Sequence, residues 1–289
     1  MPIGERESAV AHRTFEPGVD PNATPTDNAL CFAFRSGELL TGPSGTGDPL
    51  PAYHELTIVH HLIVRSNFMG ALDQRPVFAV ELDESTPGPK PFAFESLRSA
   101  FGALDEDAWL IAGRASMIID WDRTHQFCGS CGDRTANMET ERAKRCVSCD
   151  SVAYPRVSPA VIVLVERGDE VLLARGARLS SGMYALIAGF VETGESLEDA
   201  VHREILEEVG IEIEQITYFG SQPWPFPHNL MVGFIAQYKS GEIQIEPNEL
   251  EDARFFSPNS MPPIPPRLSI ARRLIDYYAE KHGLDLDTP

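Results

Sequence analysis

The apolar positions of this 289-residue chain change their period several times, and each change marks an expected element. Residues 1–28 are rich in Pro, Asn, Thr and charge without any period, so this segment is expected to be partly disordered. From residue 29 to about 80 the short runs LCFAF, LTIVHHLIV and PVFAVEL alternate with Gly/Pro-rich breaks, which predicts a small sheet-containing domain. TPGPKP near residue 88 reads as a loop. The stretch FESLRSAFGALDEDAWLIAGRASMIIDWDRTHQF then carries apolar residues at helical spacing and predicts one or two helices.

The second half is more sharply patterned. PAVIVLVERGDEVLLAR is two β-rich runs joined by a turn at Arg167 to Asp169, a hairpin of central strands. The loop RGARLSSGMY leads to ALIAGFVETGE. SLEDAVHREILEEVG is a helix with Ser196 as N-cap, Asp199 in a capping-box-like position and Gly210 as C-cap. Strands are expected at IEIEQITYFG, LMVGFIAQY and ARFFS, and SIARRLIDYYAEKHG makes a closing amphipathic helix. This order predicts an α+β fold, a mixed sheet with helices packed on it. Three prolines make SQPWPFPHNL (221–230) a rigid loop, neither helix interior nor central strand. Trp224 and Phe226 on it either plug the edge of a core or offer flat apolar surface to a planar ligand.

No run approaches the roughly 18 apolar residues of a membrane span. The start, MPIGERESAVAHRTFEPG, lacks the apolar core of a secretory signal, so a cytoplasmic location is expected. A formal net charge of −19 argues against a generic polyanion binder, and any RNA would be met at one end, in a pocket. Of five cysteines, Cys31 lies in an apolar run and is read as a buried small hydrophobe. The others form CGSC (Cys128, Cys131) and CVSC (Cys146, Cys149), enclosing fourteen residues. Four thiolates so spaced converge on one structural Zn²⁺ with every coordination position closed. His54, His60 and His61 beside an apolar run are read as structural.

Glu204, Glu207 and Glu208 stand at i, i+3 and i+4, sharing one face of the predicted helix, with Glu195 and Arg203 nearby. The opposite face, Leu197, Ala200, Val201, Ile205 and Val209, is apolar and expected to dock. A docked helix presenting convergent carboxylates suits Mg²⁺ or Mn²⁺.

These residues carry a resemblance. Gly189, Glu195, Arg203, Glu204, Ile205, Glu207, Glu208, Gly210 and Ile211 match every specified position of the Nudix box, G-x5-E-x7-R-E-U-x-E-E-x-G-U with U bulky and apolar. The four-cysteine ribbon, AYPR (153–156), the box, SQPWPFP and SIARRLI (269–275) occur in the order of the NADH pyrophosphatase, or NAD-capped RNA hydrolase, branch of Nudix hydrolases. The resemblance implies a Nudix fold, a mixed sheet sandwiched by helices, with a zinc ribbon and an N-terminal α/β domain. The partition it suggests is 1–28, 29–125, 126–156 (ribbon), 157–282 (Nudix domain) and a tail, 283–289.

For the site, the resemblance implies that Glu204, Glu208 and Glu249, with the Ala188 carbonyl, hold two or three Mg²⁺ or Mn²⁺ ions. Glu207 or Glu208 would be the general base. Arg203 would hold the Glu195 region in place. Tyr154, Phe190 and Trp224 would stack on bases, Glu141 would contact substrate, and Ala271 would line the pocket with Gln222, Pro223, Trp224, Pro225, Phe226, Pro227, His228 and Asn229. Arg98 in SLRS matches with a spacing shifted by about one residue. Asn229 stands where the signature ends in serine, which is expected to alter affinity more than activity. The implied reaction is hydrolysis of the pyrophosphate of NAD(H) to AMP and nicotinamide mononucleotide, with removal of the NAD cap from RNA 5′ ends by the same cut. A homodimer is implied. The competing reading, a non-catalytic dinucleotide sensor with a Nudix fold, would tolerate loss of box carboxylates, and every one is present.

Overall fold

The computed structural model describes residues 13–43, 48–177, 182–284 and 286. The expectations for residues 1–12, for the middle of the RGARLSSGMY loop and for most of the tail lie outside these. The chain forms two compact units, Met1–Arg156 and Val157–Pro289. Among the described residues no helix is long and apolar enough to cross a membrane.

The first unit holds strands β1 (Phe15–Pro17), β2 (Leu30–Arg35), β3 (Glu38–Thr41), β4 (Ile63–Leu72), β5 (Arg75–Leu82) and β6 (Ala93–Ser96). They form one sheet in the order β1-β4-β5-β2-β3-β6. β1 falls inside the segment expected to be partly disordered; pairing with β4 orders it. LTIVHHLIV contributes most of a 3-10 helix, Tyr53–Leu62, before β4 begins. His60 stacks on Tyr53 with centroids 4.2 Å apart, and His54 Nδ1 meets the Asp27 carbonyl at 2.8 Å, both structural roles as expected. Cys31 is fully buried, which pushes its thiol up to about 12.

The predicted helical stretch after residue 90 resolves differently at its start. Its first residues are β6, paired with β3, and one helix follows, α1 (Glu106–Thr124), capped by the Asp105 side chain accepting from Ala108 N at 2.7 Å. Leu97, Ala100 and Leu104 are buried from consecutive turns, with Ala100 N to Ser96 O and Leu104 N to Ala100 O both 3.0 Å. Such turns space apolar residues as a helix does. The ribbon is a three-stranded sheet, β7 (Thr135–Asn137), β8 (Lys144–Cys146) and β9 (Val152–Ala153). Buried Lys144 pairs with Asp122 of α1, tying the ribbon to that helix.

The second unit contains β10 (Ser158–Arg167), β11 (Glu170–Gly176), β12 (Ile187–Phe190), helix α2 (Leu197–Val209), β13 (Glu212–Trp224), β14 (Asn229–Ser240), β15 (Leu250–Phe256) and helix α3 (Ile270–Lys281). The sheet order is β13-β14-β10-β11-β15, with β12 also on β10; β10 and β14 run parallel and the other pairs antiparallel. Successive side chains of a strand point to opposite faces. Val161, Val163 and Val165 of β10 accordingly enter the core that α2 covers, while Ile162 and Leu164 enter the core that α3 covers. A central strand buried on both sides needs such a continuous apolar run.

Leaving out β1 and β12, the two units share one topology. In each the order is third, fourth, first, second, fifth, with only the fourth and first strands parallel. The second-to-third connection holds α2 in one unit and the 3-10 helix Tyr53–Leu62 in the other.

The proline-rich segment corrects one expectation. Ser221 to Trp224 complete β13, in register with Val232 to Asn229, and only residues 225–228 are turn. β13 is an outer strand, so a proline removes no second ladder bond there.

Candidate active site

α2 starts where Ser196 Oγ accepts from Asp199 N at 3.1 Å and ends at Gly210, which takes φ +74°, a left-handed cap conformation that glycine adopts freely. Ala200, Val201, Ile205 and Val209 are fully buried, as the apolar face requires. Docking that face fixes the height of the carboxylates. Glu204 and Glu208 are buried at 8 % and 7 % exposure, while Glu207 faces solvent. β12 runs beside them, and Gly189 on it packs directly against the Glu204 carboxylate.

Glu249 reaches this face through backbone bonds. Gln244 N donates to Val209 O and Glu246 N to Glu208 O, both at 2.9 Å, satisfying carbonyls at the C-terminal end of α2. Glu246 O in turn accepts from Glu249 N at 3.0 Å and Leu250 N at 2.9 Å, a turn that carries Glu249 to the start of β15. The result is an open cleft of about 860 Å³ lined by Ala188, Phe190, Glu204, Glu207, Glu208 and Glu249, among others. Glu192, Glu246 and Asn248 line it too. None of the three is among the expected site residues; for Glu246 and Asn248 the acidic run EPNELE (246–251) is the available signal.

Arg203 is the one cation lining the cleft among the described residues, and all five of its donors are engaged. Nε and Nη2 grip Glu195 at 2.7 and 2.9 Å; Nη1 reaches Glu204 at 2.8 Å and Glu207 at 3.1 Å; Nη2 also meets the Phe190 carbonyl at 2.8 Å. Hydrogen bonds from Arg203, with one from Glu192 N, hold the Glu195 carboxyl down at about 2. Glu208 has no such partner among the described residues: burial, then the charges of Glu249, Glu204 and Glu207, push it up to about 8. Burial also raises Glu204 against the opposing pull of Arg203. Buried oxygens with uncompensated charge are the donor set a hard divalent cation satisfies.

The hairpin from Gln222 to Asn229 and Ala271 lie outside the lining of this cleft and form a second group. Gln222 is buried; its Oε1 accepts from Ile270 N at 2.6 Å and its Nε2 donates to Leu268 O at 3.0 Å, so its amide clamps the start of α3 beside Ala271. Trp224 and Phe226 meet edge to face with centroids 5.1 Å apart. Pro225 is buried, Pro223 and Pro227 are exposed, and His228 Nδ1 lies 3.2 Å from Ser158 Oγ. Asn229 is buried; its Nδ2 donates to Phe226 O at 3.3 Å, while its Oδ1 has no hydrogen-bond partner among the described residues.

In the first unit the sulfur atoms of Cys128, Cys131, Cys146 and Cys149 lie within 4.8 Å of one another. Backbone N–H groups of Cys131 and Ser130 draw the Cys128 thiol down to about 6, while, against the backbone N–H groups of Asp133 and Ser151, neighbouring sulfurs raise Cys131 and Cys149. The donor set and closed spacing fit a structural Zn²⁺. Arg98 sits in the turn after β6. The Tyr154 hydroxyl donates to Glu141 Oε2 at 3.0 Å.

Three family models match consecutive parts of the chain. These are an NADH pyrophosphatase-like rudimentary NUDIX domain over residues 28–121, an NADH pyrophosphatase zinc ribbon domain over 123–154, and a NUDIX domain over 155–278. The NAD-capped RNA hydrolase NudC of Deinococcus radiodurans is 43 % identical over 253 residues, 86 % of this chain and 87 % of that one. Its namesake in Pseudomonas putida F1 is 48 % identical over 219 residues, 75 % of this chain and 79 % of the relative. With the carboxylate helix, the four-cysteine ribbon and these relatives in agreement, the chain belongs to the Nudix hydrolases, in the NADH pyrophosphatase-like group of the NAD-capped RNA hydrolases.

Proposed function

We propose that this enzyme hydrolyses the pyrophosphate of NAD(H) to AMP and nicotinamide mononucleotide, and removes the NAD cap from RNA 5′ ends by the same cut. The observation that carries the chemistry is the cleft itself: Glu204 and Glu208 buried beside Glu249, with Arg203 bonded to Glu204 and spending its other donors on Glu195, Glu207 and the Phe190 carbonyl. The names of the relatives support the substrate.

Glu204, Glu208 and Glu249, with the Ala188 carbonyl, would hold Mg²⁺ or Mn²⁺, which when bound neutralises the diphosphate and lowers the pKa of a coordinated water. Arg203 keeps Glu195 and Glu204 in register. Glu207 or Glu208 takes the proton of the attacking water. On the resemblance, Phe190, Trp224 and Tyr154 stack on bases, the 222–229 hairpin and Ala271 wall the pocket, and Arg98 and Glu141 serve the substrate. The strongly acidic chain predicts cap hydrolysis that gains little from longer RNA. A cytoplasmic homodimer completes the proposal, with light scattering on the eluted protein as the check on its oligomeric state.

Incubation with NADH and Mn²⁺ followed by separation of products tests the reaction. AMP and reduced nicotinamide mononucleotide are expected from the wild type and almost none from Glu208→Gln. Intact NADH after incubation in either Mn²⁺ or Mg²⁺ would overturn the proposal.

A further inference from the structure

Glu249 reaches the cleft from a strand that breaks its register just beyond it. On β15 Arg254, Ala253 and Asp252 pair with Leu173, Ala174 and Arg175 of β11, but the next pair is Gly176 with Leu250. Glu251 is therefore an extra residue, a β-bulge. The bulge resets which side chains face which way. Leu250 and Ala253 stand three residues apart, yet both enter the core that α2 covers, whereas along an unbroken strand they would face opposite sides. Without the extra residue Leu250 would leave that core, and Glu249 would turn with it. The Glu249 backbone is fixed at the same point, its carbonyl accepting from Ala177 N at 2.8 Å.

Side chains lock both residues of the bulge. Glu251 Oε2 accepts from Arg175 Nε at 3.0 Å, and Asp252 Oδ2 accepts the Tyr184 hydroxyl at 2.5 Å and Arg254 Nε at 2.8 Å. The sheet places Tyr184 for this bond. Ala174 exchanges two backbone bonds with Ala185, at 2.9 and 2.8 Å, which sets Tyr184 beside Arg175 as Arg175 is set beside Asp252. The Arg175 guanidinium lies 5.3 Å from the centroid of the Tyr184 ring. That ring is 6 % exposed and meets Phe256 edge to face at 5.1 Å, and Tyr184 N donates to Pro263 O at 2.9 Å. Packing thus holds the ring independently of its hydroxyl, so the bond to Asp252 costs little further side-chain freedom. Ala185 lines the cleft, whereas Tyr184 and Asp252 lie outside its lining.

We infer that Tyr184 is a positioning residue: through Asp252 it pins the bulge that aims the Glu249 carboxylate into the cleft, and so raises the affinity of the cleft for divalent metal without touching metal or substrate. The inference rests on the proposed role of Glu249 as a metal ligand. Groups that orient a ligand in this way typically contribute about 10- to 100-fold in metal affinity.

The test is Mn²⁺ binding to the zinc-loaded, full-length protein, read from the electron paramagnetic resonance signal of free Mn²⁺ and so independent of turnover. Tyr184→Phe removes one hydroxyl and no charge. It is expected to raise the Mn²⁺ concentration for half-occupancy about tenfold, while KM for NADH at saturating Mn²⁺ stays within about twofold of wild type. Glu249→Ala is expected to lose at least as much, and the double variant no more than Glu249→Ala alone, because Tyr184 acts through Glu249. Losses that multiply in the double variant would mean that Tyr184 acts by another route and would overturn the inference. Asp252→Asn, whose amide oxygen still accepts the hydroxyl, is expected to keep more affinity than Asp252→Ala; equal losses would assign the effect to the Asp252 charge and overturn the inference too. Unchanged Mn²⁺ binding in Glu249→Ala overturns the ligand role of Glu249, and the inference with it. A loss there with Tyr184→Phe unaffected overturns only the positioning role. Melting temperatures complete the test: a less stable Tyr184→Phe with wild-type Mn²⁺ affinity would make Tyr184 a packing residue and nothing more.

Discussion

A methyl group built on Gly189 would lie 1.9 Å from Cδ of Glu204 and 2.0 Å from its Oε1. The backbone of β12 and a carboxylate of α2 are thus in direct contact, and the first glycine of the box is there for space. Gly189 shows no left-handed φ, so conformational freedom is not its role.

Gly189→Ala must therefore push Glu204 out of place. Misplacement of a catalytic group by about 1 Å costs on the order of 10²-fold in rate. The expected outcome is a kcat on NADH lower by about two orders of magnitude with a folded, zinc-loaded protein. Steady-state kinetics with a thermal melt check it, and a wild-type kcat would refute the steric account.

Arg203 makes a forked grip on Glu195 while spanning Glu204, Glu207 and the Phe190 carbonyl. A lysine offers one point charge and cannot reproduce five directed donors. Arg203→Lys is expected to lower kcat by about tenfold or more and weaken Mn²⁺ activation, although charge is conserved. A Mn²⁺ titration of activity at saturating NADH measures both. Indistinguishable curves would reduce Arg203 to a simple partner of Glu207.

Much of this site was legible because it is local. Ser196, Gly210 and the 3.6-residue apolar period define α2, and the i, i+3, i+4 carboxylates follow from it. Glu246 and Asn248 show in the sequence only as part of an acidic run, because their place in the cleft depends on Gln244 and Glu246 bonding back to the end of α2. Strand β13 ran on through Gln222 and Pro223 because an outer strand tolerates prolines, a fact of sheet order that no local pattern states. The Glu141–Tyr154 contact is similarly a product of register between β8 and β9.

The ribbon offers a test of its own. Cys146 is buried at the end of β8, and its sulfur lies 3.4 Å from that of Cys131. A structural zinc site contributes folding energy directly, so removing one ligand should cost the metal and the local fold together. Cys146→Ser is expected to bind less than about a tenth of the wild-type zinc, since a closed site has no spare ligand. KM for NADH should rise as Tyr154 loses its support. Zinc analysis by atomic spectroscopy and the KM of the same sample check the pair of outcomes; full zinc content would refute the ligand assignment.

Glu208 sets function against stability. It is buried, pushed up to about 8, and faces the like charges of Glu249, Glu204 and Glu207 with no cationic partner among the described residues. In the absence of divalent metal, folding must either bury this charge or give the carboxyl a proton, and glutamine avoids both costs while nearly preserving shape. Glu208→Gln is therefore expected to stabilise the metal-stripped protein by on the order of 1–3 kcal/mol while abolishing most turnover. In Mn²⁺ the order should invert, because the wild type gains binding free energy that the variant has lost. Urea unfolding of both proteins in EDTA and in Mn²⁺ measures the crossing. A variant less stable than wild type already in EDTA would refute the account of buried repulsion, and a variant that gains as much from Mn²⁺ as the wild type would refute Glu208 as a metal ligand.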